Sequence, residues 1–331
     1  MISRRSLFVL ILVIALGVTA LFSLLLGSNH LDPATTLRVL LHDDGSEAAT
    51  IVREVRLPRT VLGILVGLSL GAAGTLMQGH TRNPLAEPGL LGVTAGAAFT
   101  VVIAAQTLAI TAPGGQVWFG LLGALIATAA VFGIATAGGS RVSPVPMALA
   151  GAAVTALLTA FTSIVVLGDQ ETLDVYRRWA VGSISGRETG VIGAVLPFML
   201  VGMALAAFNT RALNVVSLGE DTARGLGQSV TSSRLIGLAA VTLLAGSATA
   251  AAGPISFLGL IVPHLARAVT GPDNRWLLPC SALAGAILLL AGDIVGRLIG
   301  GAGEVQVGIT LALVGGVLFV FIARRGRLVR L

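Results

Sequence analysis

Lysine is missing altogether: all 21 basic residues are arginine. A P-loop uses a lysine to reach the β- and γ-phosphates of its nucleotide, so no Walker A motif exists and the chain is not a P-loop ATPase by itself. Charge of either sign is scarce. Only 11% of residues are charged against 55% hydrophobic, and the mean hydropathy is +0.94, which excludes the usual composition of a soluble domain. The single cysteine, Cys280, cannot form an internal disulfide and reads as a buried structural thiol beside Pro279. The four histidines, His30, His42, His80 and His264, fall on separate loops or helix ends without a ligand spacing such as H-E-x-x-H, so no metal site is expected. The serines lack a G-x-S-x-G elbow or a base partner, which leaves no case for membrane-bound catalysis.

What fills the chain is long apolar runs. Residues 7–27, 60–81, 88–140, 142–168, 189–210, 235–266, 276–292 and 305–323 carry no Asp, Glu or Arg, and each is long enough to cross a bilayer or close to it, since a span needs roughly 20 residues. Two are long enough to fold back. The run 88–140 divides at Thr111-Ala-Pro-Gly-Gly115 and 235–266 at Gly253-Pro254, where proline cannot continue the hydrogen-bond ladder. The expectation is an all-α polytopic membrane protein of about ten transmembrane helices, a single transmembrane domain over residues 1–331. The first run, preceded by Arg4 and Arg5, exceeds the roughly 7–15 residues of a signal core and is read as an uncleaved helix. With both termini cytoplasmic, inner segments hold thirteen arginines and four acids, outer segments eight and eleven, leaving the sides at +9 and −3. That is the positive-inside bias. The high pI therefore reflects topology and gives no support for nucleic-acid binding.

An ion-coupled transporter is expected to place ionisable side chains inside its spans, where they are costly and functional. Here the nearest are Asp293 and Arg297, at the i, i+4 spacing of a local helix pair. Energy for transport must then come from outside the chain, or transport is passive. An ion-driven secondary transporter and a non-transporting scaffold are the rival classes. Glycine patches such as Gly67-Leu-Ser-Leu-Gly71-Ala-Ala-Gly74 suit close helix packing. Arg53, Arg56 and Arg59 cluster before the second span on the outer side, readable either as headgroup anchors or as a docking surface for an acidic partner.

One polar interruption, residues 211–228 and on to Arg234, reads as a capped amphipathic helix. Ser217 and Glu220 have S-x-x-E capping-box spacing, and Gly225 and Gly227 are available as stops. A short capped helix in a membrane protein's inner loop suits the grip of another protein.

Arg56-Leu-Pro-Arg59, Gln78, Arg82-Asn83-Pro84-Leu-Ala86 and Leu91-Gly-Val93 resemble the iron-siderophore and vitamin B12 permease family of ABC importers. So do Gly253-Pro254-Ile-Ser-Phe-Leu-Gly-Leu260, Pro263-His264, Ala291-Gly-Asp293 with Arg297, Trp179-Ala-Val-Gly-Ser183 and Leu218-Gly-Glu-Asp-Thr-Ala-Arg-Gly-Leu-Gly227. The similarity covers nearly the whole chain from Arg53 onward. It implies ten helices per subunit, two permease subunits (identical or paralogous) around a pathway, two cytoplasmic ATPase subunits carrying ATP and Mg, and an extracytoplasmic binding protein. This chain would bind no cofactor and would sit in the bacterial inner membrane. In the family the loop between the sixth and seventh helices couples to the ATPase, which here assigns Ser217, Leu218, Gly219, Glu220, Ala223, Arg224, Leu226 and Gly227, with the leucines as apolar contacts and Glu220 and Arg224 at the rim. The family also sets arginines against acidic residues of the binding protein; the matching positions are Arg56, Arg59 and Arg297. Ser143-Pro144-Val145-Pro146 departs from the family's small hydroxyl gate, so no gate residue is carried over. The implied cargo is a ferric siderophore, with vitamin B12 or haem as alternatives.

Overall fold

The computed structural model describes residues 4–27, 31–137, 144–300 and 303–324. His30, Arg141, Ser143, Arg325, Arg327 and Arg330 lie outside them. Among the described residues the chain is helical throughout. Helix α1 spans Arg4–Leu25, and α2, Pro33–Leu41, follows with Asp32 capping it by accepting from the Thr35 N–H. α3, Glu47–Thr50, runs through a wide π turn, Ile51–Arg56, into α4, Leu57–Thr81. The π turn has a local cause: Pro58 supplies no N–H and its ring crowds the carbonyl four residues back, and the Leu57 N–H bonds Val52, five residues back.

A 3-10 turn at Pro88–Leu91 leads into α5, Val93–Leu108, and α6, Pro113–Thr136. α7, Pro144–Gly168, is followed by the short α8, Gln170–Ala180, and by α9, Thr189–Val216. The inner loop forms α10, Glu220–Gly225, before α11, Val230–Ala252, and α12, Leu258–Thr270. α13, Asn274–Gly300, and α14, Val307–Arg324, complete the chain. Seven helices are long and apolar enough to cross a membrane, and α5, α12 and α14 are shorter apolar helices. Together these are the ten expected. The folds back fall at the expected turns, between α5 and α6 and between α11 and α12.

α4 lies at the centre, packed against α13, α11, α12 and α9. Its glycines make this possible. A Cβ at Gly67 would meet the backbone of Gly285 and Ala286, one at Gly71 that of Ser281, and one at Gly74 that of Gly259. The stripe therefore lets α13 and α12 approach backbone to backbone, the contact that small residues provide where lipid supplies no hydrophobic drive between helices. α1 is peripheral: its apolar side chains, such as Ile14 at 58% exposure, face outward as a lipid-facing helix requires. At one end of the bundle Arg5 approaches Asp273 at 3.8 Å, and Asp273 accepts from Asn214 near the end of α9. The chain's first helix thus begins on the face that carries α10.

Candidate functional site

Three features of this frame hold the residues expected to be functional. On the inner face, α10 presents Leu218 and Leu226 at 66% and 65% exposure while Ala223 packs inward on Val216 and Val230. The expected capping box does not form. Ser217 ends α9, and its hydroxyl donates to Asn214 O at 2.7 Å; Gly219, at φ 119°, is the N-cap of α10 and has no side chain to cap with. The Glu220 carboxylate turns instead to Arg234 at 2.5 Å and Arg224 at 3.1 Å. Arginines are stronger partners for a carboxylate than a neutral backbone N–H. Burial would raise the Glu220 pKa, but the Arg234 hydrogen bond and charge, helped by Arg224 and Arg82, outweigh it and hold the carboxyl below its usual range.

Of the two candidate stops, Gly227 acts and Gly225 does not. Gly227 adopts φ +78°, its N–H bonds Arg224 O at 3.0 Å and the next N–H, of Gln228, bonds Ala223 O at 2.9 Å. That is a Schellman closure, which a Cβ would strain. Gly225 is the last helical residue. Arg82, the C-cap of α4, donates to Val216 O at 2.6 Å.

The second feature is a cavity of about 520 Å³ bordered by Leu70, Glu87, Val93, Ala245, Thr249 and Pro254. It lies where the two motif loops meet. Asn83 closes the first by accepting from the Leu85 N–H at 2.9 Å, with Pro84 between them. Gly253, at φ +75°, ends α11 against the Trp179–Gly182 turn, and Pro254 follows it out of the helix. Ser183 N–H bonds Ala252 O at 2.6 Å, fastening that turn to the same corner. Gln78, fully buried, donates to Leu260 O at 2.9 Å and accepts from Arg267 at 3.2 Å, joining α4 to α12. Pro263 and His264 are both buried in α12. Burial pushes the Glu87 carboxyl up, and the Phe257 N–H partly offsets this.

The third feature lies at the opposite end, where Arg56, Arg59 and Arg297 converge. An outward-facing arginine clamp is not what this conformation presents, for the three are only 4%, 6% and 3% exposed. Arg59 grips Asp293 at 2.8 Å and Glu304 at 2.7 Å, and Arg297 reaches Asp293 at 3.0 Å, so the expected i, i+4 pair forms inside a larger cluster. Arg56 donates to the carbonyls of Leu24 and Leu25, and Arg297 to those of Ser23 and Leu26. Two arginines thus satisfy the C-terminal carbonyls of α1 and meet the negative end of its dipole. Membrane-facing helices have few other polar anchors. Glu304 and Ser23 carry no sequence signal for this role; Arg82 and Arg234 stand in a family motif and at the end of the polar interruption, but their partners are visible only in the fold.

Cys280 is buried, and no group of three or more His, Cys, Asp or Glu gathers among the described residues. Among the described residues, a bundle of ten apolar helices with an exposed short helix at one end and a cavity between helices has the architecture of a polytopic membrane transport subunit. The chain belongs to the FecCD transport family, whose model matches residues 12–325. It is 43% identical to the ferric enterobactin transport system permease protein FepD of Escherichia coli over 95% of this chain and 94% of that one. It is 40% identical to the cobalamin import system permease protein BtuC of Halobacterium salinarum, over 84% and 74% of the two chains. A solved inward-facing structure described as a metal-chelate type ABC transporter superposes with TM-score 0.83 at 28% identity, covering 97% of this chain and 99% of that one. The protein is accordingly a permease of an ABC importer in the bacterial inner membrane, a transport subunit that works with ATPase and substrate-binding partners.

Proposed function

We propose that this chain, as one permease domain, carries ferric siderophores inward by alternating access, driven by ATP hydrolysed on partner subunits. The observation that carries the cargo assignment is the 43% identity to a ferric enterobactin permease over nearly the full length of both chains. A corrinoid is the second reading, favoured by the 40% identity to a cobalamin permease. The complete importer holds two permease subunits, two ATPase subunits with their ATP and Mg, and an extracytoplasmic binding protein.

In this reading the ATPase grips α10 and its flanks through Leu218 and Leu226, with Gly219 and Gly227 shaping the turns, Ala223 seating the helix, and Ser217, Glu220 and Arg224 fixing its angle. A cleft on the ATPase that takes up two exposed leucines explains why they are exposed in a polar loop. The binding protein docks on the opposite end, over Arg56, Arg59 and Arg297. Carboxylates of the partner reach these arginines by displacing Glu304 and the α1 carbonyls.

The cargo is tested by mass spectrometry of the ligand retained by the purified cognate binding protein: an iron chelate supports the reading and a corrinoid replaces it. The docking assignment is tested by Leu218→Asp, which abolishes copurification of the ATPase while leaving membrane insertion intact. Undiminished copurification contradicts it.

A further inference from the structure

Glu220 stays 32% exposed, yet its carboxylate has a buried partner as well as Arg224. Its carboxylate points back into the bundle, onto Arg234 in the first turn of α11, and Arg234 is only 7% exposed. The pair is therefore unlike a solvated surface ion pair, in which two mobile side chains gain little by meeting. The neighbouring residue continues the connection inward: Ser233 donates to Asn209 Oδ1 at 2.9 Å, and Asn209 donates to Ser233 O at 3.1 Å and bonds His80 Nε2 at 2.8 Å. From there α11 runs to Ala245 and Thr249 in the cavity wall.

We infer that the Glu220–Arg234 ion pair is the strut that makes the docking helix and α11 move as one body, so that displacement of α10 reaches the cavity wall. The inference rests on the proposed docking of the ATPase at α10 and names the residues that carry its motion onward. α10 has six residues and few contacts of its own, so without a directed link it would swivel on Gly219 and Gly227. An arginine–carboxylate pair at 2.5 Å is directional and charge-assisted, which resists swivelling better than apolar contact does. Motion passed between packed elements as rigid bodies is the common form of such switching. Arg234 is thereby a positioning residue.

The test uses the purified importer with its ATPase, and Thr155→Cys in the cavity as a reporter; the native Cys280 is fully buried and gives little background. Maleimide labelling of the reporter is timed with and without ATP and vanadate. With Arg234 intact, nucleotide changes the labelling rate by at least about fivefold, the lower end of a typical coupling between two sites. Arg234→Gln reduces that response to little or none, and Arg234→Glu combined with Glu220→Arg restores it. A full response in Arg234→Gln overturns the inference, as does loss that the exchanged pair fails to rescue while the exchanged protein still copurifies with the ATPase. Where the chain with Arg234 intact shows no response to nucleotide, the coupling reading itself falls and the strut with it.

Discussion

Asp293, 1% exposed, is clasped between Arg59 of α4 at 2.8 Å and Arg297, one turn onward in its own helix, at 3.0 Å. Removing its charge leaves Arg297 with carbonyl and hydroxyl acceptors but no carboxylate, and Arg59 with Glu304 as its remaining carboxylate. Breaking a buried pair from one side costs about 3–5 kcal/mol, so Asp293→Asn lowers the unfolding temperature in detergent far more than substitution of an exposed acid such as Asp221.

The glycine stripe makes a paired prediction. Gly67→Ala drives a methyl into the backbone of α13, whereas a Cβ at Gly133 meets nothing within 4 Å. Overpacking of this kind costs about 1–3 kcal/mol. Thermal unfolding of the two variants side by side shows a loss for Gly67→Ala and little change for Gly133→Ala.

Glu87 gives a pH dependence. Burial raises its pKa in the fold above the ordinary 4.5, so the folded state disfavours the charged form. Below the ordinary value both states are protonated and nothing is lost; above the raised value, folding carries the full penalty of burying the charge. Glu87→Gln, which can still accept from the Phe257 N–H, therefore unfolds at higher temperature than the parent at neutral pH. The gap narrows as pH falls through the raised value and closes below about 4.5. A gap independent of pH contradicts the burial argument.

Glu304 occupies the face of Arg59 that a docking carboxylate would use. Glu304→Gln leaves Asp293 in place and weakens only the internal competitor. The binding protein then docks more tightly, and by a margin that shrinks with added salt, as expected of charge pairing near the surface. Surface plasmon resonance at two ionic strengths measures this, and unchanged affinity removes Arg59 from the docking surface.

The ten helices were legible because span length, Pro254 and the Pro113-Gly114 turn are local signals. The sidedness expected from arginine counts rests on a local signal of the same kind. The amphipathic α8 is too short and too charged to show among apolar spans; Asp169 caps it, and burial of Val175 and Trp179 packs it on the bundle. Ser217 and Glu220 have capping-box spacing, but the spacing cannot reveal Arg234 fourteen residues away. Likewise Arg56, Arg59 and Arg297 look like surface arginines until α1 and Glu304 are folded against them. Sequence reports residue type and local order; which carboxylate or carbonyl an arginine meets depends on packing between helices far apart in the chain.

The central claim is that this permease is a passive conduit driven by ATP hydrolysed on a neighbour. Reconstituting the chain in liposomes with and without its ATPase and binding protein, and following radiolabelled chelate uptake, tests it most directly. Accumulation is expected only with the partners and ATP present. Accumulation by the chain alone, driven by a proton or sodium gradient, would contradict it.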